Sequence, residues 1–456
     1  MFRPAQRPPQ CLAPFPDQSI NTCTPASVSR DSSLAPSFQN GMLPTRTMSS
    51  KAKSPLGLIF LTLFIDMIGF GIVIPVLPLY AEGTRFGATP DQLKWIVGIY
   101  SLLQVVCAPL LGRISDRVGR RPVLAVSICG TALGFIILGS AQTVAMLLLG
   151  RIIDGISGGN IATAMACIAD STTKENRSKS MGLVGAAFGL GFVIGPALGG
   201  VLSKHFGLAT PFYFAAGLAI VNATLVLLRL PETLTPEVQA RARDRASIGE
   251  VFSQGRAGTV AIILLSQFAG VTGFSVMTSL FALFCHHRLG YDAAHVGYIL
   301  AYVGLIGALM QGGVLRRLLH RPIEQPLAVI GTIILAGSMA LLPSSASLGA
   351  LLLVCAGISI GNSLSTPTLN GLASRITDAH CQGRLMGLMQ SAGGLGRFCG
   401  PMLGFGLVVY DPNASYGRTA FLASAVLLAL DALLLACLRV PAPASEAASD
   451  AVAAAQ

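Results

Sequence analysis

Five charged residues stand where the chain is otherwise almost continuously apolar: Asp66, Arg151 and Asp154 in its first half, Arg397 and Asp431 in its second. A charge at the centre of a bilayer costs about 2.5–3.5 kcal/mol or more, so one is retained there for a partner, a proton or a ligand. Asp66 falls about ten residues into the first apolar run, or ~15 Å along a helix, close to the midplane of a ~30 Å hydrocarbon core. Arg151 lies one turn from Asp154 on the same helix face. Burial and a nearby guanidinium act on a carboxylate in opposite senses, and a group balanced between them can bind and release a proton. Asp66, Arg151 and Asp154 are therefore candidates for proton coupling; a static ion pair that fixes packing is the competing reading. Arg397 and Asp431 reach similar depth from opposite sides and form a candidate buried charge pair, read as structural.

The elements that must position these groups follow from composition. The chain has 456 residues, 52% hydrophobic and 11% charged, against about 25% charged in soluble domains. A soluble fold has too little interior for that much apolar sequence, so the class is an all-α membrane protein. The formal charge of +11 would suggest nucleic acid in a soluble chain, but here it reads as Lys and Arg retained in inner loops. Most of the ten cysteines lie inside apolar runs, and no Cys/His spacing suits zinc. No phosphate loop or nucleophile elbow occurs. No enzyme activity, cofactor or metal is expected.

Apolar runs of about bilayer length recur at Leu56–Tyr80, Lys94–Leu111, Pro122–Ala141, Ala145–Ala166, Met181–Ser203, Pro211–Leu230, Thr259–Phe284, Ala293–Leu315, Pro326–Leu342, Leu348–Leu369, Arg384–Val409 and Thr419–Leu438. They predict about twelve spans in two six-helix halves, 51–230 and 257–440, joined by a cytoplasmic linker at 231–256. Residues 1–50 and 441–456 read as disordered tails, the first rich in Pro and Ser. Lys and Arg concentrate in alternate loops, including Arg113, Arg117, Arg120, Arg121, Arg316, Arg317 and Arg375. The positive-inside rule then puts both termini in the cytoplasm of a plasma membrane, the inner membrane if the source is bacterial.

The halves repeat. Met181-Gly182-Leu183 recurs as Met386-Gly387-Leu388, Gly191 as Gly396, Gly195-Pro196 as Gly400-Pro401, and Leu198-Gly199 as Leu403-Gly404, all at one constant offset. Duplicated halves with a substrate path between them are a transporter architecture. Gly191, Gly195 and Gly199 form one helical stripe, repeated by Gly396, Gly400 and Gly404, that suits either a rocking hinge or close packing.

Gly112-Arg113-Ile114-Ser115-Asp116-Arg117-Val118-Gly119-Arg120-Arg121 resembles the GxxxDRxGRR signature of the major facilitator superfamily. Gly191 to Gly200, with Gly195, Pro196 and Gly199 at the fixed positions, resembles the fifth-span GxxxGPxxGG motif of its drug:proton antiporters. Arg151-Ile152-Ile153-Asp154-Gly155 is similar to the fourth-span RxxxG motif. Asp66, Gly69, Gly71 and Pro75-Val76-Leu77-Pro78 are similar to the first span of tetracycline and multidrug exporters. The resemblance implies a proton-coupled exporter of small amphipathic compounds working by alternating access, expected to act as a monomer. Within such a family the Asp116 loop, from Gly112 to Arg121, is a latch between halves in the outward-facing state. An importing solute:proton symporter, or a non-transporting scaffold or receptor, are the alternatives. Tetracycline exporters carry further acids in the third and ninth spans. The corresponding runs here hold none, and Glu324 only borders the latter.

Overall fold

The computed structural model describes residues 56–172, 174–234, 248–253, 257–318, 323–377, 381–412 and 415–438. The two predicted tails and most of the predicted linker lie outside the described residues.

Eleven helices are long and apolar enough to cross a membrane: α1 Leu56–Glu82, α2 Pro90–Val118, α3 Arg120–Gly139, α4 Val144–Asp170, α5 with apolar part Val184–Phe206, α6 Thr210–Arg229, α7 Ala257–Leu289, α8 Ala293–Leu315, α9 Glu324–Ser344, α10 Leu348–Ile376 and α12 Arg418–Ala436. The remaining predicted span is α11, Gln382–Val408, 27 residues long; its glycines and Arg397 make it less apolar than the others. A six-residue helix, Ile248–Ser253, precedes α7.

Local chemistry sets the helix ends. Thr89 and Gln92 form a reciprocal capping box at the start of α2, with Pro90 in its first turn. Thr143, Asp292 and Ser347 cap α4, α8 and α10 by accepting from backbone N–H groups. Gly119, at φ +118°, turns the chain from α2 directly into α3, a conformation that favours glycine. Where α4 was predicted as one helix, it breaks between Ser157 and Asn160 at the adjacent glycines Gly158 and Gly159. Gln104 of α2 donates to the Gly158 carbonyl at 3.0 Å, satisfying backbone that the break exposes. The last turns of α8, Met310–Leu315, widen into a π-helix around Gly312 and Gly313.

Packing repeats between the halves: α1 on α5 and α7 on α11, α3 on α6 and α9 on α12, α3 on α4 and α9 on α10. The halves meet chiefly through α5 with α8 and α2 with α11.

Those seams close at one end only. On the face carrying Glu82, Gly200 lies against Ala293 and Ala294, Pro196 against Gly297, and Phe192 against Gly304. One apolar cluster there unites Val76 and Phe212 with Phe281, Phe284, Val296 and Phe421. His287 of α7 reaches Glu82 of α1 at 3.0 Å and stacks on Tyr416, 4.4 Å between ring centroids. Toward the face carrying Asp116 the seams part. Gly112, Gly185, Gly312, Gly313, Gly383 and Gly387 have open space where a Cβ would stand. The apolar clusters on that face stay within one half each: Ile59, Leu124, Cys167 and Val226 in the first, Ile263, Leu369, Leu385 and Leu435 in the second. The molecule is closed at the Glu82 face and open at the Asp116 face.

Candidate functional site

Asp66, Arg151 and Asp154 line one cavity of about 340 Å³, with Tyr100, Thr131 and Asn160. Arg151 and Asp154 are both 4% exposed and pair at 2.9 Å within α4. The guanidinium also donates to the Ile96 carbonyl at 3.3 Å and lies 4.4 Å from the centre of the Tyr100 ring, a cation–π contact. Gly134 of α3 leaves room for this: a Cβ there would sit 2.9 Å from the Asp154 Cβ.

The sequence reading set Asp66 against Arg151. The structure gives Arg151 to Asp154 and gives Asp66 a neutral partner, the Asn160 side-chain amide, which donates to its carboxylate. Asn160 opens the second segment of α4 directly after the glycine break. Among the described residues no Lys or Arg lies within ion-pair distance of Asp66. The cavity thus holds one carboxylate neutralised by arginine and one that is not.

The Asp116 loop is a compact ionic cluster. Arg120, 2% exposed, binds Asp116 at 2.6 Å, Asp170 at 3.0 Å and Ser115 at 2.7 Å. Arg120 does more than mark the inner loop: a guanidinium buried among two carboxylates holds α2, α3 and α4 together. Asp116 lies in the last turn of α2, and the acid at the start of α3 is Glu232, accepting from Arg120 N at 2.8 Å and Arg121 N at 3.1 Å. The Arg121 side chain donates to the Leu227 carbonyl. Arg117 is at the end of α2 and enters none of these bonds.

The glycine stripes are packing surfaces. A Cβ at Gly191, Gly195 or Gly199 would collide with α1 between Met67 and Ile72, and one at Gly200 with α8. Gly396, Gly400 and Gly404 press in the same way on α7 at Phe268–Thr272, Ser275 and Leu280. Pro196 and Pro401 lie within continuous helices.

The candidate pair Arg397–Asp431 does not form. Arg397 lies along α11 beside Gly393 and Gly394, close enough to Tyr100 to interact electrostatically, whereas Asp431 faces Ser266 and Gly270 of α7. The two charges leave their helices in different directions.

Sequence reasoning missed Tyr100, Thr131 and Glu232 and gave Asn160 and Gln104 no role. For Asn160 a signal existed: a polar residue directly after two glycines within an apolar run. Tyr100 and Glu232 carried none, since what each meets is decided by neighbouring helices.

Two pseudo-symmetric helical halves, open on one face and enclosing buried charges, define a membrane transporter by fold and site. The sequence profile of the Major Facilitator Superfamily matches residues 59–401, and the chain belongs to that superfamily, a family of transporters and not of enzymes. It is 33% identical over 394 residues to the tetracycline resistance protein, class D, of Salmonella ordonez, covering 84% of this chain and 96% of that one. It is 31% identical over 389 residues to multidrug resistance protein 1 of Bacillus subtilis (strain 168), covering 83% and 96%. Its fold resembles that of a bacterial homolog of the human lysosomal transporter Spinster, solved inward-facing and unoccupied. There the TM-score is 0.69 at 15% identity, covering 83% of this chain and 95% of that one.

Proposed function

We propose that this protein exports small amphipathic compounds in exchange for protons, by alternating access between its two halves. The observation that carries the reading is Asp66: a carboxylate within a membrane-spanning helix, held by a neutral amide and sharing a cavity with the paired Arg151 and Asp154. An ion pair built only for packing would have neutralised it. A site that must accept and release a proton in each cycle keeps one carboxylate free of a fixed cation. Relatedness to tetracycline and multidrug resistance proteins supports export.

The Asp116 face, with Arg113, Arg117, Arg120, Arg121, Arg317 and Arg375, is the cytoplasmic side by the positive-inside rule, against Arg85, Lys204, Arg288 and Arg418 on the other. The structure is then the inward-open state, with Asp116 turned to Arg120 of its own half. In the opposite state Gly112 and Asp116 approach the second half and act as the latch, while the glycine–proline stripes carry the rocking. Within α3 no acid is present, and Glu324 at the start of α9 is bound to Arg375, so the substrate is a class broader than tetracycline or different from it.

The test is efflux of a panel of dyes and antibiotics from cells expressing the chain, with and without a protonophore. Export that collapses with the gradient is expected. Gradient-insensitive export, or net uptake of every transported compound, would overturn the proposal.

A further inference from the structure

Asp431 is 3% exposed, and its Oδ1 has no hydrogen-bond partner. A buried polar atom left unsatisfied costs about 1–3 kcal/mol, more when charged. Such an atom calls for an explanation in what it binds.

Its surroundings supply one. Beside it lies a polar cavity of about 250 Å³, lined by Ser266, Gln267 and Gly270 of α7, Leu335 of α9, and Asn362 and Thr366 of α10 among others. In the repeat, α7, α9 and α10 correspond to α1, α3 and α4, the helices that supply most of the lining of the Asp66 cavity. Asp431 stands behind the α7 wall. Its Oδ2 would be 3.9 Å from a Cβ at Gly270, and Ser266, whose side chain lies close enough to interact with the carboxylate, is its polar neighbour. The first half therefore carries a buried carboxylate lining a polar cavity, and the second half one buried next to two residues that line a polar cavity between the repeat-related helices.

Among the described residues, no cation on the packed elements neutralises Asp431. Between Ala257 and Cys285 α7 has no charged residue. On α9 the sole charged residue is Glu324, which pairs with Arg375 of α10. On α11, Arg397 lies beside Gly393 and Gly394 near Tyr100, and Arg384 sits in the first turn. On α12 itself Arg418 is at the far end.

We propose that Asp431 is a second proton-binding site, in the C-terminal half. Its Oδ1 takes a proton from water while the cleft is open to the Glu82 face, holds it as that face closes, and returns it to water entering the Ser266–Gln267–Asn362 cavity when the cleft opens to the Asp116 face. No other bond changes. This deepens the proton-driven reading by giving the second half a site of its own.

The experiment is infrared difference spectroscopy of the purified, full-length protein in lipid, titrated across neutral pH, for the parent, Asp66→Asn and Asp431→Asn. The parent should show carboxyl bands that titrate; Asp66→Asn should lose one and Asp431→Asn a different one. Ser266→Ala, which keeps the carboxyl, should move the Asp431 band, and it stands in if Asp431→Asn fails to fold. Added sodium should leave the band in place. A parent spectrum unchanged by Asp431→Asn, or by Ser266→Ala where that stands in, overturns the proposal; sodium removing the band does so as well, by making this a sodium site. These spectra read the carboxyl directly. Failure of proton-driven export would appear instead as protonophore-insensitive efflux by the parent.

Discussion

Glu82→Gln should bias the transporter toward opening its closed face. The Glu82 carboxylate holds His287 at 3.0 and 3.1 Å, and the pair links α1 of one half to α7 of the other. Both side chains are about 30% exposed, so screening by solvent is substantial. A pair of this kind contributes about 0.5–1 kcal/mol, which converts to a roughly two- to fivefold shift in the open-to-closed ratio. The glutamine keeps an acceptor for His287 but carries no charge, so the variant removes only the electrostatic part of the contact. Spin labels at Thr84 and Ala346, exposed positions on the closed face of each half, report it as a longer-distance population in the variant. An unchanged distance distribution would refute the claim that this bond helps hold that face shut.

Glu232→Ala removes the acceptor for the first two N–H groups of α3 and should lower stability by about 1–2 kcal/mol, read as a lower Tm of the purified protein. Gly195→Val meets α1 backbone at 2.8 Å and should cost about 1–3 kcal/mol as an overpacking strain, seen as reduced folded yield on size-exclusion. Gly112→Val meets nothing within 4 Å in the open state. It should leave Tm of that state unchanged yet slow transport, because the cleft must close over it; normal transport would mean that Gly112 stays clear throughout the cycle.

Much of the architecture was legible because bilayer thickness fixes helix length and backbone satisfaction forces helices. Asp66, Arg151 and Asp154 were findable for a related reason: a charge in an apolar run has few explanations. Their pairing was not legible. Arg151 could reach either acid by spacing alone, and the choice depends on the break at Gly158–Gly159, which carries Asn160 to Asp66. Arg397 and Asp431 share a depth in the sequence, but helix rotation sends them apart, and rotation is set by packing against α7 and α2. Glu232 looked like the first polar residue of a linker; only the chain turn at Gly119 places it over the start of α3. Glycine stripes announced close packing, while the partner of each stripe, α1 for one and α7 for the other, emerged from the fold.

The most direct test of proton-driven export is Asp66→Asn in proteoliposomes, measuring uphill accumulation driven by a pH gradient alongside substrate counterflow without one. The substituted amide keeps the size of the side chain, and its oxygen can still accept from Asn160, so binding and the conformational cycle should survive. Counterflow should persist while gradient-driven accumulation falls to background. Uphill transport at the parent's rate, still abolished by a protonophore, would contradict the account and move the proton site away from Asp66.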